Sequence, residues 1–291
     1  MIRLNLLLEL KELFDKKKWD TGGALFENYL ETLKKLNEEE QKIIFELSEE
    51  FIWIKYSDYL NKIKEILSEI YLKEKQFNDY KELYIVPLLN LEESLYDKNL
   101  FRTKSSNFMC YLFKSNELKE HIFLEDKKVN IIEKPYCLIK ENNEIKEQEN
   151  PRFPNTRIKN SPKKAVILVD DFIGSGETAL EAINYLKEKE IPEEKIIILS
   201  IAILSEGYNK LRELGIRVYY TNYIKKSITE KYFSEEEEEK RKETIKRIVE
   251  KLNIPIKAGE EFGYNMSECL ISLIRTPNNT MPIFREFFPR W

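Results

Sequence analysis

Between Lys163 and Asn184 the chain reads Lys-Lys-Ala-Val-Ile-Leu-Val-Asp-Asp-Phe-Ile-Gly-Ser-Gly-Glu-Thr-Ala-Leu-Glu-Ala-Ile-Asn. Two carboxylates, Asp170 and Asp171, close an apolar run, and Gly174, Ser175, Gly176, Glu177 and Thr178 follow at once. An ionised carboxylate only accepts hydrogen bonds and so suits a diol. Backbone N–H and side-chain O–H groups donate and so suit a phosphate. Acids first, then glycines and hydroxyls, is the order a site for a phosphorylated ribose requires.

The flanking elements fit that chemistry. Val166 to Val169 is a β-rich run without alternation, as in a parallel strand covered on both faces. Ala179, Leu180, Ile183 and Leu186 recur at helical spacing, so the turn before them lies at a helix N-terminus, where unpaired N–H groups and the helix dipole favour an anion. The chain has eight glycines and none between Gly23 and Gly174. Two in quick succession therefore mark a backbone that turns sharply or comes close to a ligand.

Other phosphate motifs compete for the segment. A P-loop requires a lysine after its last glycine, and Gly176 is followed by Glu177. Gly174 to Ala179 satisfies G-x-G-x-x-A, but a dinucleotide fold places its ribose-binding acid about 20 residues after the glycines, whereas here the acids precede them. A strand exit plus a helix N-cap is the plain structural alternative, and it explains neither the paired acids nor the two glycines.

Composition limits the remaining classes. The 291 residues, 34% charged and 42% hydrophobic with net charge −4, describe a soluble globular chain and not a generally basic nucleic-acid binder. Cys110, Cys137 and Cys269 are widely spaced and odd in number, which points to reduced thiols of a cytoplasmic protein, not to a disulfide framework or zinc site. The single histidine, His121, reads as an ordinary surface or loop residue. No apolar run is long enough to span a membrane, and Met1 to Lys18 reads as an amphipathic helix, not a signal peptide.

Helical spacing dominates up to Tyr80, with Leu4 to Phe14, Leu25 to Leu33 and Ile43 to Leu60 giving three or four helices. Trp19 and Trp53 are expected to pack within that layer. Beyond it the pattern is βα: a strand at 83–89, a helix at 105–113, strand pieces at 131–132 and 136–139, the motif strand at 165–170, a helix at 177–189, a strand at 195–204, a helix near 207–214 and a strand at 216–223. The expected fold class is α/β with a parallel sheet. The expected domains are an N-terminal helical region, 1–80, and a second domain, 81–291, with a C-terminal strand and loop extension.

The loop after the first strand ends in Arg102, Thr103 and Lys104 and runs into Ser105 and Ser106. Cations followed by hydroxyls at a helix start suit a dianionic group. The alternative is a solvated basic loop with Ser105 as an N-cap. Glu235 to Leu252 reads as an exposed, charge-paired helix. Near the end, Phe262-Gly263-Tyr264 and Thr276-Pro277-Asn278-Asn279-Thr280 flank an apolar strand. Asn278 and Asn279 suit recognition of a base, or simply an Asn-rich turn.

The acid pair and following turn resemble the phosphoribosyl-diphosphate (PRPP) motif of type I phosphoribosyltransferases. With Lys104-Ser105-Ser106 and the Thr276–Pro282 tail, most of the chain is similar to phosphoribosyltransferase-like proteins of bacterial conflict and antiphage systems, including retron-associated ones. The resemblance implies that Asp170 and Asp171 are the catalytic pair on the ribose 2′ and 3′ hydroxyls and that Ser175 to Thr178 wrap the 5′-phosphate. It places Arg102, Lys104, Ser105 and Ser106 at pyrophosphate, with Mg²⁺ entering mainly through the substrate and touching protein, if anywhere, at Asp170 and Asp171. Gly174 stands where the family usually has a larger residue, so no base is supplied there. The implied function is group transfer or removal at ribose C1′ by a defence effector or toxin, with a phosphorylated ribose or nucleotide as substrate and a defence-system protein or nucleoprotein as partner. The alternative is a non-catalytic sensor of phosphoribosyl nucleotides, or a regulatory subunit of a defence complex.

Overall fold

The computed structural model describes residues 4–88, 105–134, 136–141, 144–231 and 234–288. In chain order the first elements are helices α1 (Leu4–Lys17), α2 (Ala24–Leu33) and α3 (Glu38–Glu50), strand β1 (Ile52–Trp53), and helices α4 (Tyr59–Lys73) and α5 (Lys75–Asp79). Strand β2 (Glu82–Pro87), helices α6 (Ser105–Leu112) and α7 (Asn116–Lys119), and strands β3 (Lys128–Ile131), β4 (Tyr136–Glu141) and β5 (Glu144–Glu149) follow. Then come α8 (Asn155–Asn160), β6 (Lys164–Ile173), α9 (Glu177–Glu188), β7 (Ile196–Leu204), α10 (Ser205–Glu213) and β8 (Val218–Ile224). The last are α11 (Glu235–Lys251), β9 (Ile271–Ser272) and α12 (Pro282–Phe287).

By contact the chain forms two compact units, Met1–Tyr56 with Ile224–Trp291, and Ser57–Tyr223. These limits differ from the expected 1–80 and 81–291, because the C-terminal segment packs on the first helices. The core of that first unit is aromatic. Tyr29 stacks on Phe287 at 3.7 Å between ring centroids, Phe51 on Phe284 and Phe288 at 4.8 and 4.5 Å, and buried Trp19 meets Phe14, Phe51 and Phe288 edge-on. Asn37 and Glu40 form a capping box at the start of α3, and Glu40 also accepts from Lys251 of α11.

One helical expectation fails in this unit. The apolar spacing through Phe51, Ile52 and Ile54 does not continue α3. Phe51 leaves the helical region at φ −58°, ψ 128°, and the Ile52 and Ile54 N–H groups donate to the Leu270 and Ser272 carbonyls. Ile52–Trp53 is a short strand parallel to Ile271–Ser272, a pairing with a partner remote in sequence that local spacing cannot reveal.

The second unit is an α/β layer built on a five-stranded sheet in the order β3-β2-β6-β7-β8. β2 is parallel to β3 and to β6, and β6 is parallel to β7. Every residue of β7 is buried, as its unbroken apolar sequence requires. On one face, Ala179, Ala182, Ile183 and Leu186 of α9 join Val166, Leu168 and Ile198 in a continuous core. β4 and β5 form an antiparallel hairpin outside this sheet.

The strand order sets where a ligand can enter. From β2 the chain first adds β3 on one side, then crosses to β6 on the other and continues outward to β7 and β8. The reversal falls between β2 and β6, and a crevice opens at the carboxyl ends of strands where such a reversal occurs. β6 itself is longer than the expected 165–170. Phe172 and Ile173 continue its pairing with Ala202 and Ile203, so Asp170 and Asp171 lie within the strand and not beyond its end.

Candidate functional site

β6 brings the acid pair to this reversal, and the turn 174–176 brings the chain into α9. Gly176 adopts φ +81°, in the left-handed region, and is the N-cap of α9. It supplies no capping side chain, so the first-turn N–H groups of a 12-residue helix are left for another acceptor. Ser175 and Thr178 are half-buried in and just after this turn. Glu177, the first helical residue, is exposed and its Oε1 lies 3.5 Å from the Lys210 Nζ, so its charge faces a cation.

A second glycine holds this turn in place. A side-chain carbon at Gly207, in the first turn of α10, would stand 2.3 Å from the Gly174 carbonyl oxygen and 3.1 Å from the Gly176 nitrogen. The backbones of α10 and of the turn therefore touch, which only glycine at 207 permits. Gly207 was missed from the sequence, although a glycine inside the helical pattern Ser205–Glu213 is a signal of close backbone approach.

The two acids differ. Asp170 is half-buried, and one of its carboxylate oxygens accepts the Asp171 N–H at 2.9 Å. Asp171 is 3% exposed. Its Oδ2 accepts the Tyr59 hydroxyl at 3.0 Å, and the Ser105 side chain hydrogen-bonds the same carboxyl group. Burial raises the Asp171 pKa, against the opposing effect of hydrogen bonding with Ser105, Tyr59 and Asp170. Tyr59, at the start of α4, was the second residue missed. No local motif distinguishes it from the other tyrosines.

Ser105 and Ser106 open α6, which packs on β2 and β6. Ser105 is engaged with Asp171. Ser106 is 1% exposed, and its hydroxyl has no partner among the described residues. Arg102 and Lys104 lie outside the described residues. Asn278 and Asn279 belong to the other unit, where they sit on a turn against Gly263: the Tyr264 N–H donates to the Asn278 carbonyl at 2.9 Å and the Ser267 hydroxyl to the Asn279 carbonyl at 2.6 Å. Gly263 has φ +94°, and a side chain there would strike the Asn279 oxygen at 2.1 Å. Among the described residues, the Asn279 side-chain amide reaches only the Tyr264 carbonyl, at 3.5 Å.

The other reactive residue types are accounted for structurally. Cys110 and Cys269 are buried free thiols whose pKa values burial pushes far up. His121 accepts the Phe123 N–H at Nδ1. The Ser68 hydroxyl donates to the Lys64 carbonyl, so the Nε2–H of a neutral ring donates to Ser68, and burial lowers the ring's pKa accordingly. No cluster of three or more His, Cys, Asp or Glu able to hold a metal occurs among the described residues, nor does any helix long and apolar enough to cross a membrane.

A parallel α/β sheet that carries an acid pair and then a glycine and hydroxyl turn at its strand-order reversal defines a phosphoribosyltransferase-like protein. The family profile agrees over nearly the whole chain. Residues 26–287 match PRTase-CE, and the chain belongs to that family. No curated protein matches it. Among solved structures it is similar to a hypothetical protein from Neisseria gonorrhoeae with bound ppGpp, at 13% identity and TM-score 0.36, covering 65% of this chain and 95% of that one. A purine phosphoribosyltransferase from Pyrococcus horikoshii Ot3 gives 13% identity and TM-score 0.32 over 59% and 86% of the two chains. An orotate phosphoribosyltransferase from Aeropyrum pernix gives 14% and 0.30 over 68% and 75%.

Proposed function

We propose that this protein binds PRPP or a closely related 5-phosphorylated ribose and transfers or removes a group at C1′. The observation that carries the reading is the uncapped N-terminus of α9, opened by left-handed Gly176 and placed directly after Asp170 and Asp171 at the strand-order reversal. The first-turn N–H groups, with the Ser175 and Thr178 hydroxyls, hold the 5′-phosphate. Asp170 supplies acceptors for the ribose hydroxyls.

The buried, unpartnered Ser106 hydroxyl supports an oxygen-rich group beside the start of α6, since a buried donor without a partner costs about 1–3 kcal/mol until something satisfies it. Pyrophosphate is the group that suits it, with Arg102 and Lys104 as further ligands. The donor set also fits Mg²⁺. One half-buried carboxylate, Asp170, with oxygens from the substrate and water, is what this ion accepts, and no complete protein cage is needed. Bound there, Mg²⁺ would supply charge neutralisation for the departing pyrophosphate. The protein's own part is positioning and electrostatic stabilisation of positive charge developing at C1′.

The resemblance to antiphage proteins supports a role as a defence effector in which nucleotide pools or a nucleotide-containing target are consumed, with a defence-system protein or nucleoprotein as partner. Cells carrying the gene would survive phage challenge better than cells carrying Asp170→Asn, and equal survival would remove this role. Gly174 favours a second reading, a sensor that binds without turnover, because no side chain there can act as a base. Incubation with PRPP, Mg²⁺ and candidate bases, followed by pyrophosphate detection, separates the two: release supports the transferase, and binding without release the sensor.

A further inference from the structure

We propose that Asp171 is a positioning residue and not a ribose ligand, and that its buried carboxyl group ties the starts of α4 and α6 to the motif strand, leaving Asp170 as the member of the pair that meets the sugar. This rests on the reading of residues 170–178 as a phosphorylated-ribose site.

Accessibility is the first ground. Asp171 is 3% exposed and Tyr59 is fully buried, whereas Asp170 is only half-buried. A diol must reach a carboxylate to be held by it, and Asp171 is closed over.

Occupancy is the second. Tyr59 donates to Asp171 Oδ2 at 3.0 Å, and Ser105 bonds the same group. To turn towards a sugar, Asp171 would abandon two donors on two helices.

Topology is the third. Ser105 opens the helix that follows β2, and Asp171 lies on β6, so this bond spans the strand-order reversal. The Asp171 carboxyl thereby fixes the Ser105–Ser106 helix start relative to the phosphate turn. With the Ser105 hydroxyl committed to Asp171, the unpartnered Ser106 hydroxyl is the one left for an anion.

The test compares ribose 5-phosphate with 2-deoxyribose 5-phosphate by calorimetry on the whole chain, for wild type, Asp170→Asn, Asp171→Asn and Tyr59→Phe. Wild type should prefer the ribose by about tenfold, the worth of one good hydrogen bond to a charged acceptor. Asp170→Asn should lose the preference. Asp171→Asn and Tyr59→Phe should weaken both sugars by a common factor and keep it. An Asp171→Asn protein that binds both sugars as wild type does, or loses the preference while Asp170→Asn retains it, would overturn the proposal.

A ligand-free readout guards against misfolded variants. At one fixed pH the ¹³C carboxyl signal of Asp171 should move in Tyr59→Phe, and an Asp171 signal that ignores the loss of the Tyr59 hydroxyl would also overturn the assignment. If wild type bound no phosphorylated ribose, the proposed function would fall, and the carboxyl signal in Tyr59→Phe would still decide whether Asp171 is engaged with Tyr59.

Discussion

Gly207 and Gly174 lie so close that a side-chain carbon on the first would stand 2.3 Å from the carbonyl oxygen of the second. The shape of the 174–176 turn thus depends on a helix that begins some thirty residues later (roughly one βα unit), and the obstacle is backbone, which cannot rotate aside. Gly207→Ala should displace the turn, with a stability loss of about 1–3 kcal/mol for overpacking and a larger loss of phosphate affinity. Denaturant unfolding and phosphate-analogue titration check this; unchanged affinity would mean that the turn does not hold the phosphate.

At the opposite end of the sheet, Glu82 accepts from Lys164, Lys128, Asn130 and Tyr84. Burial pushes its pKa up, but the four hydrogen bonds outweigh this and bring it from 4.5 down to about 2. A carboxylate held below its unfolded value stabilises the fold above the unfolded pKa, and that contribution fades as pH falls through the folded one. Between about pH 5 and pH 2 wild type should therefore lose on the order of 1–2 kcal/mol more than Glu82→Gln. Parallel acid-unfolding curves for the two proteins would contradict this.

Lys195 is a buried cation without a carboxylate ion pair among the described residues. Its Nζ donates to the carbonyls of Ile158, Lys159 and Ser161 at 2.9, 2.7 and 2.8 Å, closing the C-terminal end of α8. Lys195→Met should cost about 2–4 kcal/mol, because it strands three carbonyls. A melting temperature equal to wild type would show that water replaces the ammonium group without loss.

The Asn279 side chain has one long contact, to the Tyr264 carbonyl. If this amide reads an acceptor base, Asn279→Ala should lower turnover at least tenfold with unfolding unchanged, and an unchanged rate would remove the role. Gly263→Ala is the contrasting variant. It strikes the Asn279 backbone and should disturb stability as well.

Much of the second unit was legible because its elements announce themselves locally. An unbroken apolar run such as Ile196–Leu204 is a buried parallel strand, and the spacing from Ala179 to Leu186 is a helix face. The turn after the acid pair was legible for the same reason, since all of its parts lie between Asp170 and Thr178. What stayed hidden depends on distant partners. Ile52–Trp53 is a strand only because Ile271–Ser272 lies beside it. The unlike surroundings of Asp170 and Asp171 are invisible in a dipeptide of identical residues, because Tyr59 and Ser105 bury one of them from elsewhere in the chain.

Whether the motif strand and its turn bind a phosphorylated ribose is decided by calorimetric titration of wild type and Asp170→Asn with PRPP and Mg²⁺. Wild type should bind saturably and the variant at least tenfold more weakly, in line with the loss of a hydrogen bond to a charged acceptor. No binding by wild type, or equal binding by both proteins, would rule the ribose site out.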